Sequence, residues 1–257
     1  MIPTGQLLST VPSTRKKAAT NKLGCSHSFM GNNVREQNTI LSAINYYEDF
    51  ASQYDSKSAE YHWYSPQIMF GLLFDLIPPE PRVLDVGIGT GLSSVLFKKI
   101  GASIVGLDGS SQMLRRCKEK GITSELYRLN IERDVFPPLE KKFDVVISNG
   151  VFYFFRNVKH PFLECAHKVR RGGYLSINFE STRDAVYEEY ENYSNASIQE
   201  SPVGTTGVVT YRHNPRLFEI VARAARMKEL RRTKHYAYTS PQTGQEVFFT
   251  LIVWQKE

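Results

Sequence analysis

The sequence predicts an α/β protein: a doubly wound, mostly parallel seven-stranded sheet with a C-terminal antiparallel hairpin and a helical N-terminal cap. Three observations carry this. Short apolar runs at 82–87, 103–107, 124–129, 143–148 and 173–179 alternate with helical stretches at about 91–100, 110–120 and 159–169. The first run passes through Gly87-Ile88-Gly89-Thr90-Gly91 directly into a helix. Two further strand-like runs, 228–238 and 246–254, flank Ser240-Pro241-Gln242-Thr243-Gly244, a hairpin-loop sequence. Strands alternating with helices imply parallel pairing through crossovers, and the closing hairpin separates this arrangement from an ordinary dinucleotide-binding domain.

Residues 1–35 are rich in Ser, Thr, Asn, Lys and Gly and lack any sustained apolar period. They are expected to be a disordered basic tail. They contain Arg15, Lys16, Lys17, Lys22 and Arg35 but no Asp or Glu, and so hold five of the six net positive charges of the chain. The basic balance therefore belongs to the tail rather than to a folded nucleic-acid face.

Residues 36–79 are expected to form the helical cap. Ile40, Leu41, Ile44, Tyr47 and Phe50 recur at three and four, and Pro66 opens a further helix with Ile68, Met69, Leu72, Leu73 and Leu76 on its buried face. Pro78-Pro79-Glu80-Pro81 ends it, because proline can neither donate nor continue the turn. The core is expected over 80–257. It includes an insert at 181–212, read as an acidic, Tyr-rich helix followed by a Pro/Gly/Thr loop, and a helix at about 214–226.

A hydrophobic fraction of 41% and a charged fraction of 23% are those of an ordinary globular chain of 257 residues. The longest apolar stretch, Ile68 to Ile77, is interrupted by Gly71 and Asp75, short of a membrane span. Cys25, Cys117 and Cys165 form no CxxC pair and no His/Cys metal spacing, so they read as free thiols with no metal site. A cytoplasmic protein is expected. Import into mitochondria is the alternative raised by the basic, acid-free start.

The segment Val83-Leu84-Asp85-Val86-Gly87-Ile88-Gly89-Thr90-Gly91 is a buried strand running into three alternate glycines. Such glycines let the backbone turn tightly and let a ligand press against it. Asp108 follows Ile104-Val105-Gly106-Leu107 at the next strand end, where a carboxylate can accept both hydroxyl hydrogens of a ribose. A nicotinamide enzyme is one reading, but its third glycine is replaced by Leu92. Asp85 would also repel a pyrophosphate, whereas it would attract the cationic amino group of S-adenosylmethionine.

Beyond that motif, three stretches resemble the class I S-adenosylmethionine-dependent methyltransferases, in their small-molecule branch. They are Gly106-Leu107-Asp108-Gly109-Ser110-Ser111-Gln112-Met113-Leu114, Phe143-Asp144-Val145-Val146-Ile147-Ser148-Asn149-Gly150 and Val169-Arg170-Arg171-Gly172-Gly173-Tyr174-Leu175. Tyr46 to Asp55 resembles that family's upstream helix, whose final Tyr-Asp borders the cofactor. The Asp-Gly-Ser-x-x-Met-Leu run is also similar to methyltransferase-like proteins of the Williams–Beuren region.

The resemblance implies that Asp85, Gly87 and Gly89 hold the methionine half and Asp108, with Gly109, the ribose. Asn130 and the Ile131 amide would meet the adenine edge, Ser148 would close the pocket floor, and Tyr54 would border the cofactor. The family usually has Asp where this chain has Asn130, whose amide can still accept through its oxygen.

Methyl transfer from a sulfonium needs alignment and exclusion of water more than a dedicated acid or base. His213 and Tyr153 are the candidate catalytic residues, although His213 is more simply a surface or capping residue. His62 and Tyr64, beside Trp63, are similar candidates. Phe152-Tyr153-Phe154-Phe155 is either packing or an aromatic wall for a planar substrate. The strand end Ser148-Asn149-Gly150-Val151 lacks the Pro-Pro signature of adenine and glutamine N-methyltransferases, and no Pro-Cys nucleophile is present. A small-molecule acceptor is therefore expected, with RNA or protein as alternatives. The basic run from Arg212 to Lys234 reads as solvated charge, with RNA contact as its alternative. A non-catalytic cofactor-binding regulator is the non-enzymatic reading.

Overall fold

The structure, a computed structural model, describes residues 43–123, 125–181, 201–203, 208–239, 244 and 246–257. The expected tail, the tyrosines Tyr187, Tyr190 and Tyr193 of the insert and most of the hairpin loop at 240–244 lie outside the described residues.

The cap consists of helical residues 43–50 (α1), Tyr54–Glu60 (α2) and Ser65–Leu73 (α3). Then follow β1 (Arg82–Val86), α4 (Ser94–Lys99), β2 (Ser103–Asp108), α5 (Ser111–Glu119), β3 (Glu125–Arg128) and β4 (Phe143–Ser148). A 3-10 turn, η1 (Phe152–Phe154), leads to α6 (Lys159–Lys168) and β5 (Val169–Glu180). The chain continues with β6 (Ser201–Val203), β7 (Val208–Thr210), α7 (Pro215–Ala224), β8 (Met227–Thr239) and β9 (Glu246–Lys256).

Seven strands form one sheet in the order β3-β2-β1-β4-β5-β9-β8. β1 to β5 pair in parallel, while β9 is antiparallel to both β5 and β8. β9 therefore runs against its six companions. The strand order reverses between β1 and β4, which places the topological switch point, and hence the crevice for a ligand, at their carboxyl ends.

Alternation along each strand divides the core into two layers. Leu84, Val86, Val105, Leu107, Val146 and Ile177 face α6 and α7, where Phe162, Phe218 and Trp254 are fully buried. Val83, Ile104, Val145, Ile147, Leu251 and Val253 face Met69 and Leu73 of α3 and Phe97 of α4. The helix starts follow local chemistry. Ser110 caps α5 by accepting from the Met113 amide, and Asn214 caps α7 by accepting from the Arg216 amide ahead of a first-turn proline.

Three boundaries differ from the sequence reading. α4 begins at Ser94 because Gly91, with φ of +88°, still belongs to the turn. β5 begins at Val169, taking Arg170 to Gly173 into the strand. Part of the expected loop of the insert is a two-stranded ladder, with Ser201 opposite Thr210 and Val203 opposite Val208, as suits its β-branched residues. No helix among the described residues is long and apolar enough to cross a membrane.

Candidate active site

The carboxyl ends of β1, β2 and β4 meet under the cap and enclose a cavity of about 680 Å³, its open mouth included.

One wall is the glycine turn. The Gly87 and Ile88 amides both donate to the Leu107 carbonyl, at 2.7 and 2.9 Å, which hangs the turn from the end of β2. Gly87 has φ of +79°, and a Cβ there would stand 2.2 Å from the Val151 side chain. Gly89 has φ of +54°, but a Cβ on it would come no closer than 4.0 Å to any atom. Packing against Val151 explains Gly87, whereas at Gly89 the constraint is the left-handed backbone beside open space.

Asp108 is the charged group in this wall. Its Oδ2 accepts from the Gly89 amide and its Oδ1 from the Ser110 amide, each at 2.8 Å. Burial pushes its carboxyl up to about 6, and the Ser110, Gly89 and Gly109 amides pull the other way. A carboxylate offers about four acceptor positions, so these amides do not exhaust it.

The cap supplies the facing wall through Ala43, Ile44, Tyr47 and Tyr54. It is fastened on both sides. Glu48 accepts from the Ser111 and Gln112 amides at 2.8 Å each, covering the first turn of α5 from another helix. Burial alone would raise the Glu48 carboxyl, but the Gln112 and Ser111 donors together outweigh it and hold it below its ordinary value. Asp55 accepts from the Thr90 hydroxyl at 2.5 Å and from Lys120 Nζ at 2.6 Å, tying α2 to the glycine turn. The Tyr-Asp pair thus divides its work: Tyr54 lines the cavity and Asp55 grips the loop.

Of the residues expected to hold a cofactor, Tyr54, Gly87, Gly89, Asp108, Gly109, Asn130 and Ile131 all line this one cavity. The Asn130 side-chain oxygen accepts from the Glu132 amide at 3.1 Å, so any ligand must share it. Asp85 and Ser148 are not in the lining. Strand alternation turns Asp85 away, to where its Oδ2 accepts from the Ser94 hydroxyl at 2.7 Å, and burial pushes its carboxyl up to about 7. Ser148 donates to the Val86 carbonyl at 2.7 Å, one layer beneath the floor.

The candidate catalytic residues fare differently. His213 is neither a surface nor a capping residue: it is buried, with Nε2 3.1 Å from the Phe152 carbonyl, and Asn214 is the cap. Burial pushes its imidazole down to about 4. It lies outside the lining, as do His62 and Tyr64, which pair with each other at 3.4 Å on the surface.

The aromatic run splits between both readings. Phe152 is core, Phe154 and Phe155 line the cavity, and Tyr153 packs on Phe249 with ring centroids 5.4 Å apart. Burial holds the Tyr153 hydroxyl far above its ordinary value. Three of the eight basic side chains from Arg212 to Lys234 form ion pairs: Arg231 with Asp75, Arg232 with Glu219 and Glu229, and Arg212 with Glu180. Sequence reasoning missed Tyr47, Met113 and Asn149 in the lining. Tyr47 carried a signal, since it stands on the apolar face of the quoted cap helix; the others lay inside quoted motifs without a role.

Residues 84–177 match the family model described as "Methyltransferase domain". The span contains the glycine turn, Asp108 and the end of β4. Residues 84–177 are a methyltransferase domain. The chain is 28% identical over 115 residues to human methyltransferase-like protein 27, covering 43% of this chain and 47% of that protein. It is 31% identical over 100 residues to a ubiquinone biosynthesis O-methyltransferase of Bradyrhizobium, covering 38% of this chain and 39% of that one. The chain therefore aligns with less than half the length of these relatives. In fold, the methyltransferase domain and its surroundings resemble the magnesium protoporphyrin IX methyltransferase of Synechocystis, solved with bound S-adenosylmethionine. The TM-score is 0.57 at 13% identity, over 91% of this chain and 100% of that one. Nothing in these likenesses supports the nicotinamide alternative.

Proposed function

We propose that the chain binds S-adenosylmethionine in the cavity under the cap and transfers its methyl group to a small-molecule acceptor. The observation that carries this reading is the Asp108 carboxylate, aimed by the Gly89 and Ser110 amides in the wall of that cavity with acceptor capacity to spare. That capacity suits the two hydroxyls of a ribose. The open backbone at Gly89 suits a chain passing over it, and Met113 and Ile131 suit the faces of a purine.

The bound cofactor would supply a methyl group on a positively charged sulfur. The protein's own work is placement. Gly87 and Gly89 hold the methionine half through their backbone, Asp108 and Gly109 the ribose, and Asn130 and Ile131 the adenine edge. Asp85 and Ser148 hold the turn and the floor from beneath. Tyr47, Tyr54 and Phe154 form an aromatic wall beside the Gly150–Val151 backbone, which orients an apolar or planar acceptor and keeps water out. The name of the Bradyrhizobium relative, a ubiquinone biosynthesis O-methyltransferase, supports a small acceptor. The site needs no dedicated base for an acceptor that reaches it deprotonated.

Calorimetry or native mass spectrometry with S-adenosylmethionine, S-adenosylhomocysteine and NAD tests the reading. Binding of the first two without the third is expected. Tight binding of NAD with neither of the others would overturn it.

A further inference from the structure

Asn178 lies near the carboxyl end of β5, fully buried, between the core residues Ile177 and Phe179. An amide in such a place is costly unless all its hydrogen-bonding groups are satisfied, and these are. Its Oδ1 accepts from the Gly150 amide at 2.7 Å. Its Nδ2 donates both to Ser65 Oγ, at 2.7 Å, and to Asn149 Oδ1. Asn149 is gripped from the other side too, donating from Nδ2 to Ser93 Oγ at 3.0 Å. At the outer end, Ser65 Oγ lies 2.9 Å from His235 Nε2 on β8. One chain of polar groups thus runs from the edge strand through the start of α3 and the carboxyl end of β5 to the end of β4.

The inner end of this chain is functional ground. Asn149 and Gly150 line the cavity, and the next residue, Val151, closes on Gly87. Gly150 has φ of +75°, a backbone state that its one bond to Asn178 holds in place. We infer that Asn178 is a positioning residue that fixes the Asn149–Gly150 turn, and with it the cavity wall between the glycine turn and Phe154. The inference rests on the cofactor reading for its consequence, but not for its geometry. Asn178 touches no ligand position itself. It acts by presenting Asn149 with its amide already oriented and Val151 at the distance the glycine turn requires.

The test uses the full chain with Asn178→Leu, Asn178→Asp, Ser65→Ala and Ser176→Ala. Ser176 lies two residues earlier on the same strand face, buried, with no partner for its hydroxyl, so its loss controls for general loosening. Two quantities are read: amide hydrogen exchange of the segment 149–151 by mass spectrometry, and S-adenosylhomocysteine affinity by calorimetry.

Asn178→Leu should speed exchange there at least tenfold and weaken affinity about tenfold. Asn178→Asp keeps an acceptor for Gly150 but loses both donors, and should fall between it and the wild type. Ser65→Ala removes the outer anchor and should have a smaller effect of the same sign. Ser176→Ala should change neither quantity. Wild-type exchange and affinity in Asn178→Leu would overturn the inference; should that variant fail to fold, the same result in both Asn178→Asp and Ser65→Ala would do so. Equal shifts in Ser176→Ala would also overturn it. If the wild type binds no S-adenosylhomocysteine, the cofactor reading falls and the exchange measurement alone decides the positioning role.

Discussion

Asp108 Oδ2 accepts the Gly89 amide proton at 2.8 Å, so the acid at the end of β2 and the middle glycine after β1 are one structural unit. The carboxylate needs the glycine for its aim, and the glycine needs the carboxylate to satisfy an amide beside open space. Substituting Asp108 tests both sides of this relationship. Asp108→Ala removes a charged acceptor worth ~1.5–3 kcal/mol to bound hydroxyls. S-adenosylhomocysteine affinity should fall about tenfold or more, with the circular dichroism spectrum unchanged. Unchanged affinity in calorimetry would show that the ribose lies elsewhere.

The same carboxyl predicts a pH dependence. Burial raises it to about 6 in the free protein, and only its ionised form accepts two hydroxyl protons fully. Affinity for S-adenosylhomocysteine should be constant above about pH 7 and weaken as pH falls through 6. Asp108→Asn should abolish that slope, and calorimetry across the range reads both.

Asp85 should show its raised pKa in stability. Its folded value of about 7 lies above the ordinary 3.8, so the native state binds the proton more tightly than the unfolded chain. Its contribution therefore falls as pH rises from about 4 to 7. Asp85→Asn keeps an acceptor for the Ser94 hydroxyl without the charge. The variant should be more stable than the wild type at pH 8, by about 4 kcal/mol and with a higher melting temperature, and converge with it near pH 4. A lower melting temperature at pH 8 would mean that the buried charge has a partner.

Glu48 has the opposite sign. Its carboxyl is held below its ordinary value, so its stabilisation is present above about pH 4.5 and is lost as pH falls further. Glu48→Ala uncovers two amides of α5 and frees α1. Loss of about 1 kcal/mol at neutral pH is expected, as for other helix caps, together with faster release of S-adenosylhomocysteine in stopped flow. Release at the wild-type rate would show that the cap is no barrier to exit.

The insert gives the fourth contrast. Its ends meet at Glu180 and Arg212, which form an ion pair, and at Ser181 and His213, which form a bridge. Replacing 183–206 by a short Gly-Ser link should leave cofactor affinity within a few-fold. If the segment covers the acceptor, as its place after β5 suggests, turnover should be lost. Retained turnover would move the acceptor site to the neighbourhood of Trp63 and Tyr153.

What was legible in the sequence was local. Val83 to Gly91 and Ile104 to Asp108 each announce a strand and its end within ten residues, and the cavity is built where those ends meet. The placement of Asp85 was not legible because spacing to the glycines says nothing of which face a strand residue takes; its bond from Ser94, nine residues on, shows that. His213 looked exposed because its neighbours in sequence are polar, whereas its neighbours in space are Phe152, Phe179 and Phe218. Asn178 was invisible for the same reason: its partners Ser65, Asn149 and Gly150 stand far away along the chain.

β9 lies between β5 and β8 yet follows both in the chain. During synthesis, β5 therefore emerges with one edge open, and β8 emerges with no neighbour to pair with. Until β9 leaves the ribosome, those edges and the apolar faces awaiting Leu251, Val253 and Trp254 stay uncovered. The nascent chain must pass through a stretch of translation in which its glycine turn and Asp108 are already made but the sheet behind them is unfinished. Open strand edges invite mispairing, so β8 is well served by Lys228, Arg231, Arg232 and Lys234, whose charges discourage a second chain from docking while it waits.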